Sequence, residues 1–179
     1  MPRSEAVLGF RAHSGWAVVV AMAGETPVLR RRIGMGAPQH AQPYHAAESM
    51  KVAAAQAFLD RRRAAAIDLA CAEIRAVVGE LESAGYLVKR SAVLTGSGKP
   101  LPELAKVLAA HPLLHTAEGI FFREVVRDAC QSCRLAVREI PEKEVQASVL
   151  ARTALMSKVL GPPWRLDEKL AASAAIYAG

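Results

Sequence analysis

VLGFRAHSGWAVVV, residues 7–20, places two apolar runs on either side of Arg11-Ala12-His13-Ser14-Gly15. The first run reads as a buried strand ending in an arginine and a histidine, and the second run begins at once. Residues 6–10, 16–22 and 27–33 are three such runs, with Ala23-Gly24-Glu25-Thr26 as turn residues before the third. This pattern predicts a three-stranded antiparallel meander. Residues 34–43, rich in Gly, Pro and Gln, read as a loop ending near Tyr44-His45.

From residue 46 to 83 no proline intervenes, and Ile67, Ala70, Cys71, Ile74, Val77, Val78 and Leu81 recur at helical spacing. This predicts one long rod, or two helices joined near Arg61-Arg62-Arg63. Gly85 stops it, and residues 86–95 (YLVKRSAVLT) form the fourth strand. A loop at Gly96-Ser97-Gly98-Lys99-Pro100 leads to a short helix over 102–110, which His111-Pro112 is expected to break. A helix over 116–130 and a strand over 134–140 come next. Pro141 then opens a further helix that Gly161-Pro162-Pro163 ends, and Asp167 is the expected N-cap of a last, alanine-rich helix. The predicted fold class is α/β, a mixed five-stranded sheet made of a meander plus two parallel crossovers, with helices on both faces.

The 179 residues fit a single domain, since a chain of this size buries roughly 70% of its unfolded surface without help from disulfides. No apolar run approaches the roughly 20 residues needed to span a bilayer, so no membrane association is expected. Residues 1–5 lack the order of a secretory signal, and the three cysteines are an odd number; both features predict a cytoplasmic, reducing environment. The net charge of +6, with arginine triplets at 30–32 and 61–63, would attract polyanions and makes nucleic acid a candidate partner. Aromatics at 5% and arginines beside alanine-rich helices weigh toward an ordinary solvated face.

Several stretches resemble the RuvC-type Holliday-junction resolvases of the ribonuclease H-like superfamily. VLGFRAHSGWAVV resembles that family's first hairpin, an aliphatic strand running Asp-x-Gly into a second strand. HTAEGIFFREVVRDAC (115–130) resembles the helix behind its fourth strand, LAVREIPEKEV (135–145) its fifth strand and next helix start, and LDEKLAASAAIYAG (166–179) its final helix. The resemblance implies the RNase H-like fold and a site of four carboxylates holding two divalent cations, Mg or Mn, that clamp the attacking water and leaving oxygen of a phosphodiester. At the matching positions stand Arg11, Leu94-Thr95, Asp167 and Leu170, so three of the four acids are absent. A guanidinium at Arg11 repels the metal a carboxylate would bind. No cofactor is therefore expected unless a residual Mg or Mn site persists.

In this topology the carboxyl ends of the strands and the starts of two helices share one sheet edge, where ligands generally bind. Arg11, His13, Tyr44, His45, Glu48, Thr95, His115, Glu118 and Asp167 map there. His45 and Glu48, like His115 and Glu118, are three apart and would share a helix face, offering either a transition-metal site or a histidine acid-base site. Equally, the two glutamates are first-turn acids that complement a helix dipole. Cys130-Gln131-Ser132-Cys133 has redox spacing, but it ends a helix, where the dipole disfavours a thiolate, so inert thiols are expected. The loop ending in Lys99 could cradle a phosphate with its amides, although Val93 and Pro100 depart from a Walker loop.

Two functions follow. One is a nucleic-acid-binding or scaffold module without two-metal cleavage, with Arg11, His13, His45, Glu48, Thr95 and Lys99 as ligand-binding candidates. The other is an enzyme of another class, a hydrolase or phosphoester-cleaving one, using His115, Glu118 and Asp167 as catalytic residues. A homodimer is a third option, because a helix over 46–83 would extend about 57 Å, more than such a domain can cover.

Overall fold

Every second residue of the first hairpin faces the same way, and the two sets pack on opposite layers. The computed structural model describes residues 3–96 and 98–179. Strands β1 (Ser4–His13), β2 (Trp16–Ala23) and β3 (Thr26–Gly34) form the expected antiparallel meander. β1 does not fray at Arg11: its ladder with β2 runs through Arg11↔Val18 and Ala12↔Ala17 to His13↔Trp16. A two-residue turn at Ser14-Gly15 closes it, with Gly15 at φ 80, a conformation that favours glycine.

Helices α1 (Pro43–Ala47) and α2 (Val52–Ser83) follow. α2 is one unbroken helix of 32 residues, about 48 Å at the helical rise. Of the two expected forms the structure has the long rod across Arg61-Arg62-Arg63, because arginine is a good helix former and three in a row do not interrupt the helix; the rod starts at Val52, with α1 separated from it at 48–51. β4 (Tyr86–Thr95) then pairs in parallel with β1. Next come α3 (Leu104–Leu108) and α4 (His111–Ser132). The short helix ends before His111-Pro112 as expected, but the next helix, expected from 116, begins already at His111: Pro112 lies in the first turn of α4, where its missing N–H has no partner to lose.

β5 (Ala136–Pro141) pairs in parallel with β4, giving the sheet order β3-β2-β1-β4-β5. Pro141 ends this strand rather than opening a helix. The chain makes a 3-10 turn at Glu142–Glu144 and then two short helices, α5 (Ala147–Ala154) and α6 (Ser157–Leu160). The Tyr177 hydroxyl accepts the Gln146 N–H at 3.0 Å, tying this segment to the last helix instead of letting one helix propagate. That helix, α7 (Leu166–Ala178), is capped at Arg165, whose N–H is accepted by Glu168 at 2.7 Å. Asp167, expected at the cap, lies in the first turn with its carboxylate free for another partner.

Ala6, Leu8, Phe10, Ala17, Val19 and Ala21 pack on the side of α2 and α4, with Ile74, Val77, Phe122 and Val126. Val7, Val18, Val20 and Met22 pack on α7, against Ala171, Ala172, Ala174 and Ala175. α7 lies almost on the β1 backbone: a Cβ placed at Gly9 would stand 1.9 Å from the Ala171 carbonyl oxygen. Glycine in the strand and alanine in the helix thus act together to bring the start of α7 over the end of β1. A third, smaller apolar cluster of Ala47, Ala55, Leu59, Val107, Leu108, Leu114 and Ala117 joins α1, α2, α3 and α4. Among the described residues no helix is long and apolar enough to cross a membrane.

Candidate functional site

The carboxyl edge of the sheet carries two separate polar clusters. The first is built on β1. Strand alternation turns Arg11 toward α7, where its Nη1 lies 3.3 Å from Asp167 Oδ1 and its Nη2 donates to Glu142 Oε1 at 3.2 Å. His13, one alternation further on the same face, has Nε2 3.0 Å from the same Asp167 oxygen and 3.3 Å from Arg11 Nη1. Its ring stacks on Trp16 at 4.2 Å, and the Arg32 guanidinium lies over that indole at 3.8 Å. Arg11 Nε is buried without a hydrogen-bond partner among the described residues. Glu142 is the member that the sequence did not point to, since it comes from a turn 131 residues away.

The second cluster is built where α1 meets the start of α4. Glu118 is buried, and its Oε1 accepts both the backbone N–H of His45 at 3.2 Å and a hydrogen from His45 Nδ1 at 2.9 Å. His111 and His115, one helical turn apart on α4, bring their Nε2 atoms to 3.2 Å. One ring nitrogen from each of His45, His111 and His115 lies within 4.8 Å of the others. The pairings differ from those expected: His45 binds Glu118 rather than Glu48, and His115 meets His111 rather than Glu118. Glu48 is exposed at the end of α1. His111 was missed because its proline neighbour reads as a breaker, although His-x-x-x-His is a helical spacing that places both rings on one face.

The three candidate catalytic residues His115, Glu118 and Asp167 are therefore divided, with two in the histidine cluster and Asp167 in contact with Arg11. Thr95, at the end of β4, lines a pocket of about 170 Å³ with Gly96, Gly98, Thr116, Arg123 and Arg127. Burial lowers the Arg123 pKa, with Glu142 opposing this and Arg11 adding to it, so a second guanidinium stands close to the first cluster. Lys99 is exposed, and Ser97 of the same loop lies outside the described residues. The Tyr44 hydroxyl is pushed up by burial and by Glu124, and its ring sits edge-on to Phe121.

Burial pushes Cys130 up to about 12, and burial with Cys71 nearby pushes Cys133 up to about 11, so both remain thiols at neutral pH. The arginine triplets are largely engaged. Arg30 donates to the carbonyls of Gly161, Pro162 and Pro163, and Arg31 pairs with Glu80. Arg63 holds Glu124 at 2.6 Å and Asp128 at 2.7 Å, while Arg62 lies over Phe58.

The β3-β2-β1-β4-β5 order, with α7 on one face and α2 and α4 on the other, is the RNase H-like fold in its RuvC-type form. Solved structures of RuvC from Thermus thermophilus share it. One, in complex with a Holliday junction substrate, is 13% identical and superposes with a TM-score of 0.55 over 96% of this chain and 90% of that one. Another is 15% identical, also at 0.55, over 96% and 92%. No family model and no curated protein matches the sequence.

The residues at this edge do not fit the pair of divalent cations that the resemblance implies. At the matching positions Leu94 and Leu170 are buried in the apolar layer between the sheet and α7, and Thr95 offers a hydroxyl in place of a carboxylate. The two acids of the β1 cluster, Asp167 and Glu142, are both already in contact with the Arg11 guanidinium. A divalent ion there would have to displace a fixed positive charge.

Proposed function

We propose that this protein is an RNase H-like nucleic-acid-binding module that does not perform two-metal phosphodiester cleavage. The observation that carries this reading is the juxtaposition of the Arg11–Asp167 pair with an arginine-lined groove. Asp167 borders a groove of about 350 Å³ whose other walls are Trp16, Val18, Arg30, Arg31, Arg32, Pro163, Arg165 and Glu168. Arg32 and Arg165 have no ion pair among the described residues, so their charge is available to phosphate oxygens. Trp16, whose ring is stacked on His13 and lies under the Arg32 guanidinium, holds that charge at the rim of the groove. The RuvC structure bound to a Holliday junction supports nucleic acid as the ligand class for this fold, and the net charge of +6 supports a polyanion.

Fluorescence anisotropy with branched, duplex and single-stranded DNA and RNA across a salt series tests the proposal. Binding at low salt that weakens steeply with added salt is expected, together with a shallower slope for Arg32→Ala and Arg165→Ala. No binding to any of these at low salt, or cleavage of a branched substrate that requires Mg²⁺, overturns it.

A further inference from the structure

We infer that His45, His111 and His115 form a transition-metal site of the zinc class, with Glu118 as the residue that positions His45. This goes beyond the nucleic-acid reading and does not depend on it. Imidazole nitrogen suits Zn²⁺, Co²⁺, Ni²⁺ and Cu²⁺, whereas Mg²⁺ and Mn²⁺ prefer oxygen. Three such nitrogens already converge here, one from each ring within 4.8 Å of the others. Two ligands around a tetrahedral zinc stand about 3.3–3.4 Å apart, given bond lengths of 2.0–2.1 Å. The His111 and His115 Nε2 atoms, at 3.2 Å, already have that spacing.

His45 supplies the second argument. Its Nδ1 hydrogen goes to the buried Glu118 carboxylate at 2.9 Å, which fixes the tautomer and leaves the Nε2 lone pair for a metal. Carboxylate-oriented imidazole is the arrangement found around ligating histidines, where the acid holds the ring and makes it a stronger donor. The same Glu118 oxygen also accepts the His45 backbone N–H, so backbone and ring of this ligand are held together.

Several observations account for the rest of the geometry. All three rings lie in mutual contact, with centroids 4.6 to 5.1 Å apart, so small rotamer changes close the remaining gap. His111 and His115 are exposed, which gives an ion direct entry. Three protein ligands leave a fourth position for water or an anionic oxygen, as in catalytic rather than closed structural zinc sites. The site lies on the small apolar cluster that joins α1 to α4, so binding would clamp those two helices.

The test is titration of the purified, metal-stripped full chain with Zn²⁺ by calorimetry and with Co²⁺ by visible absorption. One equivalent of Zn²⁺ at micromolar Kd or tighter is expected, with Co²⁺ giving d–d bands of a nitrogen and oxygen environment. His111→Ala and His115→Ala each weaken binding at least 100-fold, and both positions are exposed, so the fold is kept. Glu118→Gln, which retains an oxygen to accept from His45, weakens it 10- to 100-fold without loss of helical content. His40→Ala, at the end of the 3-10 turn Pro38–His40 and outside the group of three histidines, leaves affinity unchanged. Absence of stoichiometric binding, unchanged affinity in His111→Ala, or a sulfur-to-cobalt charge-transfer band assigning the metal to the cysteines overturns the inference.

Discussion

The two clusters at the carboxyl edge of the sheet answer the same electrostatic problem in opposite ways. Around β1, Asp167 and Glu142 converge on a positive charge that belongs to the chain itself, the Arg11 guanidinium. Around α4, three imidazoles converge with no fixed cation between them, and the nearest acid, Glu118, holds one of the rings instead. A site with a built-in cation is satisfied without a metal. A site of neutral donors gains most when a metal arrives. The difference lies in the residue delivered by each element, since both clusters use helix starts on the same edge of one fold.

The largest effect expected on this contrast comes from Gly9. A methyl group there would meet the Ala171 carbonyl oxygen, so Gly9→Ala must push α7 away from β1. A cost of about 3 kcal/mol is expected, seen as a melting temperature lower by about 10 °C, because overpacking against rigid backbone has little room to relax. Asp167 would move with α7 and release Arg11, whereas Zn²⁺ binding at the histidines should survive. Loss of both together would show that the two clusters form one cooperative unit.

Asp167→Ala is expected to cost about 2 kcal/mol, because Arg11 loses a charged partner while its Nε is already unpartnered. Thermal melting reads the effect; an unchanged melting temperature would mean that Glu142 alone satisfies the guanidinium. On the other side, α2 and α4 are joined through Arg63, Glu124 and Asp128. Burial raises the Asp128 pKa, but hydrogen bonds from Arg63 and Arg127 outweigh this and hold it below the ordinary 3.8. A depressed carboxyl stabilises the fold above its unfolded pKa and loses that contribution as pH falls through the lower, folded value. Asp128→Asn should therefore cost under about 1 kcal/mol at pH 7, given partial exposure, with the gap to the unaltered chain closing below about pH 3.9. A gap that does not narrow as pH falls below about 3.9 would mean that packing, not charge, holds this contact.

The smallest effect is expected for His111→Ala. Its ring is exposed, so without metal the change in stability should stay within about 0.5 kcal/mol. A larger loss without metal would make the histidine cluster structural in its own right and would erase the contrast with the Arg11 cluster.

Much of the fold was legible in the sequence because its strongest signals are periodic. Alternation from Val7 to Met22 gave the hairpin and the two faces of the sheet, and Ile67 to Leu81 gave the buried stripe of α2. Arg11, His13 and Asp167 could be placed at one edge for the same reason. What was hidden depends on tertiary contacts. Glu142 reaches Arg11 from a turn that a helical reading of Pro141 conceals, and His45 meets Glu118 across 73 residues. Pro112 marked the end of α3 but hid the first turn of α4, because proline excludes itself from a helix interior and is well suited to the first turn. Asp167 was placed at a cap on residue type, while the cap bond is made by Glu168 to Arg165.

The triplet Arg30-Arg31-Arg32 has a further consequence. β3 is the outer strand of the sheet and pairs only with β2 on one side, so its other side presents backbone donors and acceptors that a foreign strand could extend. Three consecutive charged side chains there, one gripping the carbonyls before α7 and one tied to α2, make that extension unfavourable. The arginines thus guard the chain against edge-to-edge aggregation, whatever they also bind.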